Sequence, residues 1–175
     1  MHAEERERSD ARADARFAAL YRDEFTRLAR LADVILDDRG AAEEIVQEVF
    51  ADVLRRWPSV EGQPWLPDFL RRSVIGHCRD FAKGRSPSIA DVDQVAGEGR
   101  DETADGYLAW SARTEVRRAL ARLPLRQREC VAARYLLEMG DAETARLLGI
   151  SVGSVNTHVR RGMHTLEKLL REERT

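Results

Sequence analysis

Asp141-Ala-Glu-Thr-Ala-Arg-Leu-Leu-Gly-Ile-Ser-Val-Gly-Ser-Val-Asn-Thr-His-Val-Arg-Arg161 reads as two short helices joined by a tight turn. Ala145 is small where the helices must cross, and Gly149 supplies the backbone freedom the turn needs. Ser151 is a natural N-cap for the second helix. Val155 and Val159 give that helix an inward stripe, which Met163 and Leu166 continue. The other side, with Ser151 at its start, offers Ser154, Asn156, Thr157, His158, Arg160 and Arg161. Such side chains suit base edges and phosphates better than a core. Similar turns occur in helical proteins that never meet DNA. The spacing of small residue, glycine and valine, with an Arg-bearing outer face, favours a DNA-binding helix-turn-helix.

The chain has 175 residues and a formal net charge of −2, which looks wrong for a DNA binder until it is divided. Residues 111–175 carry 13 Lys/Arg against 8 Asp/Glu, whereas residues 86–110 carry 1 against 6. The basic excess therefore sits with the helix-turn-helix, as an electrostatic footprint should. No apolar run is long enough to span a bilayer, and no signal-peptide core is expected at the N-terminus. Cys78 and Cys130 stand far apart and outside any CxxC spacing. A reduced cytoplasmic protein without metal or cofactor is the simplest expectation.

The same division predicts the domains. Residues 1–16, rich in Glu and Arg without an apolar face, are expected to form a charged, disordered arm. Between 17 and 85, one helical stripe runs Phe17, Leu20, Tyr21, Phe25, Leu28, Leu31, Ala32, Ile35, and is broken by Asp37-Asp38-Arg39-Gly40. A second runs Ile45, Val46, Val49, Phe50, Val53, Leu54, Trp57 and is expected to end at Pro58. After a loop from Ser59 to Pro67, the apolar positions Phe69, Leu70, Val74, Cys78 and Phe81 mark a third helix. Residues 86–110, with Pro87, Gly97, Gly99 and Gly106 among acids, read as a flexible acidic linker. In 111–175, Val116, Ala119, Leu120 and Leu123 form a helix stopped by Pro124. Arg126 to Leu137 follows with Cys130, Val131 and Tyr135 inward, and then the helix-turn-helix. The expected fold is all-α: two small helical domains on a tether.

Two further stretches carry a resemblance. Ala42-Glu-Glu-Ile-Val-Gln-Glu-Val-Phe50 resembles the AEDLVQEVF-type signature of region two of bacterial sigma factors. Leu123-Pro-Leu-Arg-Gln-Arg-Glu-Cys-Val-Ala-Ala-Arg-Tyr135 is similar to the LPxxxRxxxxLRY-type start of their region four, with Ala133 where that pattern has Leu. With only these two domains and a short linker, the chain resembles the extracytoplasmic-function group, in an actinobacterial-looking branch.

The resemblance implies a partner and two DNA readers. The region-two helix would dock on the largest subunit of core RNA polymerase through Glu44, Ile45, Val46, Gln47, Glu48 and Asp52, although an ordinary solvated face would look much the same. The next helix would read and melt the minus-10 element with Arg71, Arg72, Arg79, Lys83 and Arg85 as cations. Trp65 fits either a base platform or a core anchor. Gly76 stands where the family often has Asn, and Asp80 reads as a structural partner of nearby arginines. Ser151, Ser154, Asn156, Thr157, His158, Arg160 and Arg161 would meet the minus-35 element in the major groove. An anti-sigma factor is a further implied partner. The acidic linker would enter the nucleic-acid channels of the polymerase, fold back on the basic C-terminal domain, or serve only as a tether.

The expected function is therefore a sigma factor that directs core polymerase to promoters, with no chemistry of its own. The competing reading is a two-domain helix-turn-helix regulator whose N-terminal bundle binds a ligand or protein. An enzyme with an appended DNA module is a third class, disfavoured because residues 17–85 hold no nucleophile triad, phosphate loop or metal cluster.

Overall fold

The computed structural model describes residues 2–84 and 114–172, and the expected linker lies outside them. Among the described residues there are eight helices and no strand. In the N-terminal half these are α1 (His2–Leu36), α2 (Arg39–Arg55), the short α3 (Trp57–Val60) and α4 (Leu66–Ala82). In the C-terminal half they are α5 (Thr114–Ala121), α6 (Leu125–Tyr135), α7 (Asp141–Leu148) and α8 (Val152–Glu172).

The first stripe of the sequence becomes the buried face of α1, with Leu28, Leu31, Ala32 and Ile35 at its centre. Phe17, Tyr21 and Phe25 continue it as an aromatic cluster against α2 and α3. Tyr21 meets Phe50 at 4.9 Å between ring centres, and Phe17 meets Trp57 edge-on at 5.2 Å. Such offset and edge geometries suit the ring quadrupoles. Helix α1 ends where Asp37 adopts φ 55°, a left-handed conformation that Asp tolerates better than most residues. Asp38 then caps α2 by accepting the Ala41 N–H at 3.0 Å.

Three expectations for this half are corrected. Residues 2–16 are helical and continuous with α1. Their run of Ala, Glu and Arg favours helix, and the Trp57 indole donates to the Ala13 carbonyl at 3.1 Å. Pro58 does not terminate the second helix. It sits in the first turn of α3, where a missing N–H costs nothing. The expected loop from Ser59 to Pro67 is correspondingly short, because α3 takes its beginning and α4 starts at Leu66 with Pro67 in its first turn.

In the C-terminal half the helix-turn-helix forms as expected. Gly149 closes α7 at φ 68°, and Ser151 accepts the Ser154 N–H at 3.1 Å to begin α8. Ala145 and Val155 are buried between the two helices. Three residues expected inward are instead exposed: Val116, Tyr135 and Met163. The periodic pattern tolerates a one-position shift of the stripe, and the burial of Gly162, Leu166 and Leu169 shows where it lies on α8.

Gly162 is where α8 crosses α6 most closely. A Cβ there would stand 2.9 Å from Cγ2 of Val131. Replacing Gly162 by Val should therefore destabilise the chain by about 1–3 kcal/mol through overpacking. Urea unfolding followed by circular dichroism would measure it. The two halves are not held apart: helix α1 packs against α5 and α6, and α4 against α7, so that a single apolar core runs through both.

Candidate nucleic-acid interface

Helix α8 presents its most exposed side through Asn156, Arg160 and His164, which follow one another at four-residue steps. Arg161 stands on the flank of this side. Of the seven residues expected to meet duplex DNA, Asn156, Arg160 and Arg161 are exposed without an internal partner among the described residues. The others are partly committed to the fold. Ser151 and Ser154 join hydroxyls at 2.8 Å, and the Thr157 hydroxyl donates to the Gly153 carbonyl at 2.9 Å. His158 is half-buried with its Nδ1 enclosed, so it does not face outward as expected. His164 was not among the expected residues, although its four-residue step from Arg160 marks it.

Helix α4 carries a second surface. Trp65, Phe69, Arg72, Gly76, Arg79 and Lys83 recur at three- and four-residue steps and so share one face. Trp65 at 46 % exposure is no core anchor. Its ring meets Phe69 edge-on at 5.7 Å, and the Arg56 guanidinium lies 5.6 Å from the Phe69 ring centre. An aromatic pair with a cation beside it is the equipment for holding an unstacked base. Phe69 and Arg56 are additions to the expected set, and the Trp65–Phe69 spacing is the signal for the first of them. A side chain at Gly76 would meet nothing within 4 Å, so that position is a bare stretch of helix.

The expected cations of α4 divide into two kinds. Arg72 and Lys83 are exposed, without an ion-pair partner among the described residues. Arg71 is tied to Asp68 at 3.1 Å and lies 3.9 Å from Glu24. Arg79 makes a two-pronged pair with the fully buried Glu129 of α6, at 2.7 and 2.9 Å. Asp80, expected as the partner of nearby arginines, is exposed, and Glu129 takes that part for Arg79. Arg85 lies outside the described residues.

On α2, Glu44 and Gln47 are exposed and Glu48 half-exposed along one ridge. Asp52 is paired with Arg55. Ile45 and Val46, expected among the partner contacts, are buried in the core, because they belong to the inward stripe. Leu54, read as part of that stripe, is 49 % exposed and ends the ridge with an apolar contact.

Neither cysteine is equipped for chemistry. Burial, reinforced by the nearby Glu129 carboxylate, pushes the Cys78 thiol up to about 12 and the Cys130 thiol up to about 11. Both are buried and unbonded. At pH 8 iodoacetamide should modify the native thiols at least about 100-fold more slowly than the urea-unfolded ones, since the thiolate is the nucleophile. Mass spectrometry of timed samples would show it. No helix among the described residues is long and apolar enough to cross a membrane.

Comparison with known proteins bears on these surfaces. The family described as Sigma-70, region 4 matches residues 113–166, which contain α5 to α7 and most of α8. The RNA polymerase sigma-E factor of Streptomyces coelicolor is 25 % identical over 143 residues, 82 % of this chain and 79 % of that protein. The ECF RNA polymerase sigma factor SigM of Mycobacterium tuberculosis is 28 % identical over 155 residues, 88 % of this chain and 76 % of its own. The fold is similar to that of the sigma factor RpoE from Bartonella quintana, solved in complex with the anti-sigma factor NepR. That likeness has a TM-score of 0.66 at 18 % identity, covering 89 % of this chain and 96 % of RpoE. The likeness to RpoE is one of all-α fold, and it spans more of the chain than the region 4 match does. Residues 113–166 thus match a sigma-70 region 4, and over most of its length the chain is similar to extracytoplasmic-function sigma factors. The relatives' names favour this over the two-domain regulator.

Proposed function

We propose that the chain binds core RNA polymerase through α2 and directs it to promoters through α4 and α8. The supporting observation is the exposed side of α8, where Asn156 and Arg160 have no internal partner among the described residues and lie within the segment that matches region 4. Arg160 suits a phosphate or guanine and Asn156 an adenine. The acidic ridge of Glu44, Gln47 and Glu48, ending in Leu54, is the surface we assign to the polymerase. It offers charge for steering and an apolar contact for affinity. The face of α4 from Trp65 to Lys83 is assigned to the melted minus-10 strand.

On this reading residues 17–85 form region two, residues 86–110 the linker and residues 111–175 region four. The protein carries out no chemistry itself and acts in the cytoplasm, where polymerase and promoter meet. As NepR is found with RpoE, an anti-sigma factor is an expected further partner. Co-purification tests the core of this: tagged chain should retain core polymerase from a lysate of its own host, identified by its large subunits. Recovery of the chain without them would contradict it.

A further inference from the structure

The helix-turn-helix buries its aliphatic side chains around the turn with one exception. Leu147, Leu148 and Val155 are buried, and Ile150 packs against the core. Val152, the first residue of α8, is 43 % exposed. A β-branched residue has no advantage there as a helix former, and its γ-methyls face solvent. The neighbours leave it unobstructed. Ser151 and Gly153 are exposed, and the Ser151 hydroxyl is joined to Ser154. A Cβ built on Gly153 would meet nothing nearer than the Ser151 hydroxyl oxygen at 3.9 Å, so packing within the chain does not call for a glycine. The first turn of α8 thus carries a methyl-bearing knob beside a bare stretch of backbone, a shape that admits close approach of a ligand.

Val152 also extends the outward row of the helix. Val152, Asn156 and Arg160 follow at four-residue steps, and all are exposed. Four residues advance the helix by ~6 Å and one base pair advances the duplex by ~3.4 Å, so neighbours in the row stand about two base pairs apart along the groove. In the major groove thymine is distinguished by its C5-methyl, and an apolar side chain is what recognises that group. Valine neither donates nor accepts a hydrogen bond, so it has no other base edge to prefer. A knob for docking protein would stand in an apolar patch, whereas Val152 is surrounded by Ser151, Gly153 and Asn156.

We infer that Val152 reads the methyl group of a thymine lying about two base pairs from the base that Asn156 contacts. The contact sets the γ-methyls against the C5-methyl and excludes water between them, which adds to the duplex reader a preference that its polar side chains do not supply. The inference rests on the assignment of α8 to the minus-35 duplex given above.

Holoenzyme assembled from core polymerase and the full-length chain tests it by selecting sites from duplexes randomised across the minus-35 region. Wild type is compared with Val152→Ala, Val152→Ile, Asn156→Ala and Arg160→Ala. Wild type should select a thymine within about two base pairs of the position whose preference Asn156→Ala relaxes. Val152→Ala should lose that thymine alone, and Val152→Ile, which keeps a branched apolar end, should retain it. Both should keep the helical circular dichroism of wild type, since an exposed position contributes little to stability. The selected duplex is then remade with deoxyuridine at that thymine, which deletes only the methyl. Wild type should bind it about fourfold more weakly, the effect of one buried methyl group, and Val152→Ala should bind both duplexes equally. No selected thymine near the Asn156 position overturns the inference, as does wild-type binding that is indifferent to deoxyuridine. A loss in Val152→Ala that is equal on the two duplexes also overturns it, and places the valine against polymerase instead. Patterns altered by Asn156→Ala or Arg160→Ala but not by Val152→Ala remove the valine contact and leave the assignment of α8 standing. If none of the variants alters the pattern, the assignment of α8 fails and the valine contact fails with it.

Discussion

Replacing Glu44, Gln47 and Glu48 together by Lys should abolish association with core polymerase, a loss of roughly 100-fold or more in affinity. The three side chains lie along one outward ridge of α2, whose opposite side buries Ile45, Val46, Val49 and Phe50. Substitution by Lys therefore changes the surface by five charge units and leaves the packed face untouched. Like charges brought together across an interface cost several kcal/mol, which is several factors of ten. Exposed helix positions contribute little to stability, so the fold should survive. Leu54→Asp, at the end of the same ridge, should weaken association through a different mechanism, the loss of an apolar contact. A pull-down with purified core, alongside circular dichroism of each variant, gives the answer. Native circular dichroism with unchanged retention would remove this ridge from the interface.

The second large effect is expected on α8. Arg160→Ala should weaken promoter binding by about 1–3 kcal/mol, and more than Arg161→Ala, because Arg160 is central on the exposed side and Arg161 lies on its flank. Loss that is uniform across sequences would mark a phosphate contact, whereas relaxed preference at one base would mark guanine readout. Asn156→Ala should affect mainly one position, as an adenine contact would. Thr157→Ala should do little, since its hydroxyl is already spent on the Gly153 carbonyl. A promoter library transcribed with each variant holoenzyme separates these outcomes. If Arg160→Ala and Asn156→Ala transcribe the library as wild type does, α8 meets DNA by another face.

Much of the architecture was legible because local and global signals agree. The periodicity of α1, α2 and α4, the Asp37–Asp38 break and the Gly149–Ser151 turn each place a residue type where backbone geometry demands it. Disagreement arose where periodicity is ambiguous by one position. Val116, Tyr135 and Met163 fit an inward stripe on a helical wheel, yet each lies at the edge of its buried face and is exposed. Leu54 is the same error on α2, and there it adds an apolar contact to a ridge that had read as purely acidic.

The candidate surfaces were legible in location and less so in membership. Residue type and spacing point to α4 and α8, but they do not reveal which polar ends are already used. The hydroxyls of Thr157, Ser154 and Ser151 turn back on α8, and Arg79 is engaged across the fold with a residue 50 positions away. No sequence window contains that pair. Buried Glu129 had no local signal either: in the pattern of α6 it is a charged residue among charged residues, and only the approach of α4 makes it a partner. Conversely, Arg56, at the C-cap of α2, gains its place near the Trp65–Phe69 pair from the packing of α2 against α4.

The most direct measurement is run-off transcription with purified core polymerase, the purified chain and a pool of genomic fragments. Discrete transcripts that depend on the chain, start at a shared upstream sequence pattern and disappear with the Glu44/Gln47/Glu48 triple-lysine variant are the predicted result. Transcription by core that is no more selective with the chain than without it, under conditions where the chain is folded, would contradict its role as a sigma factor.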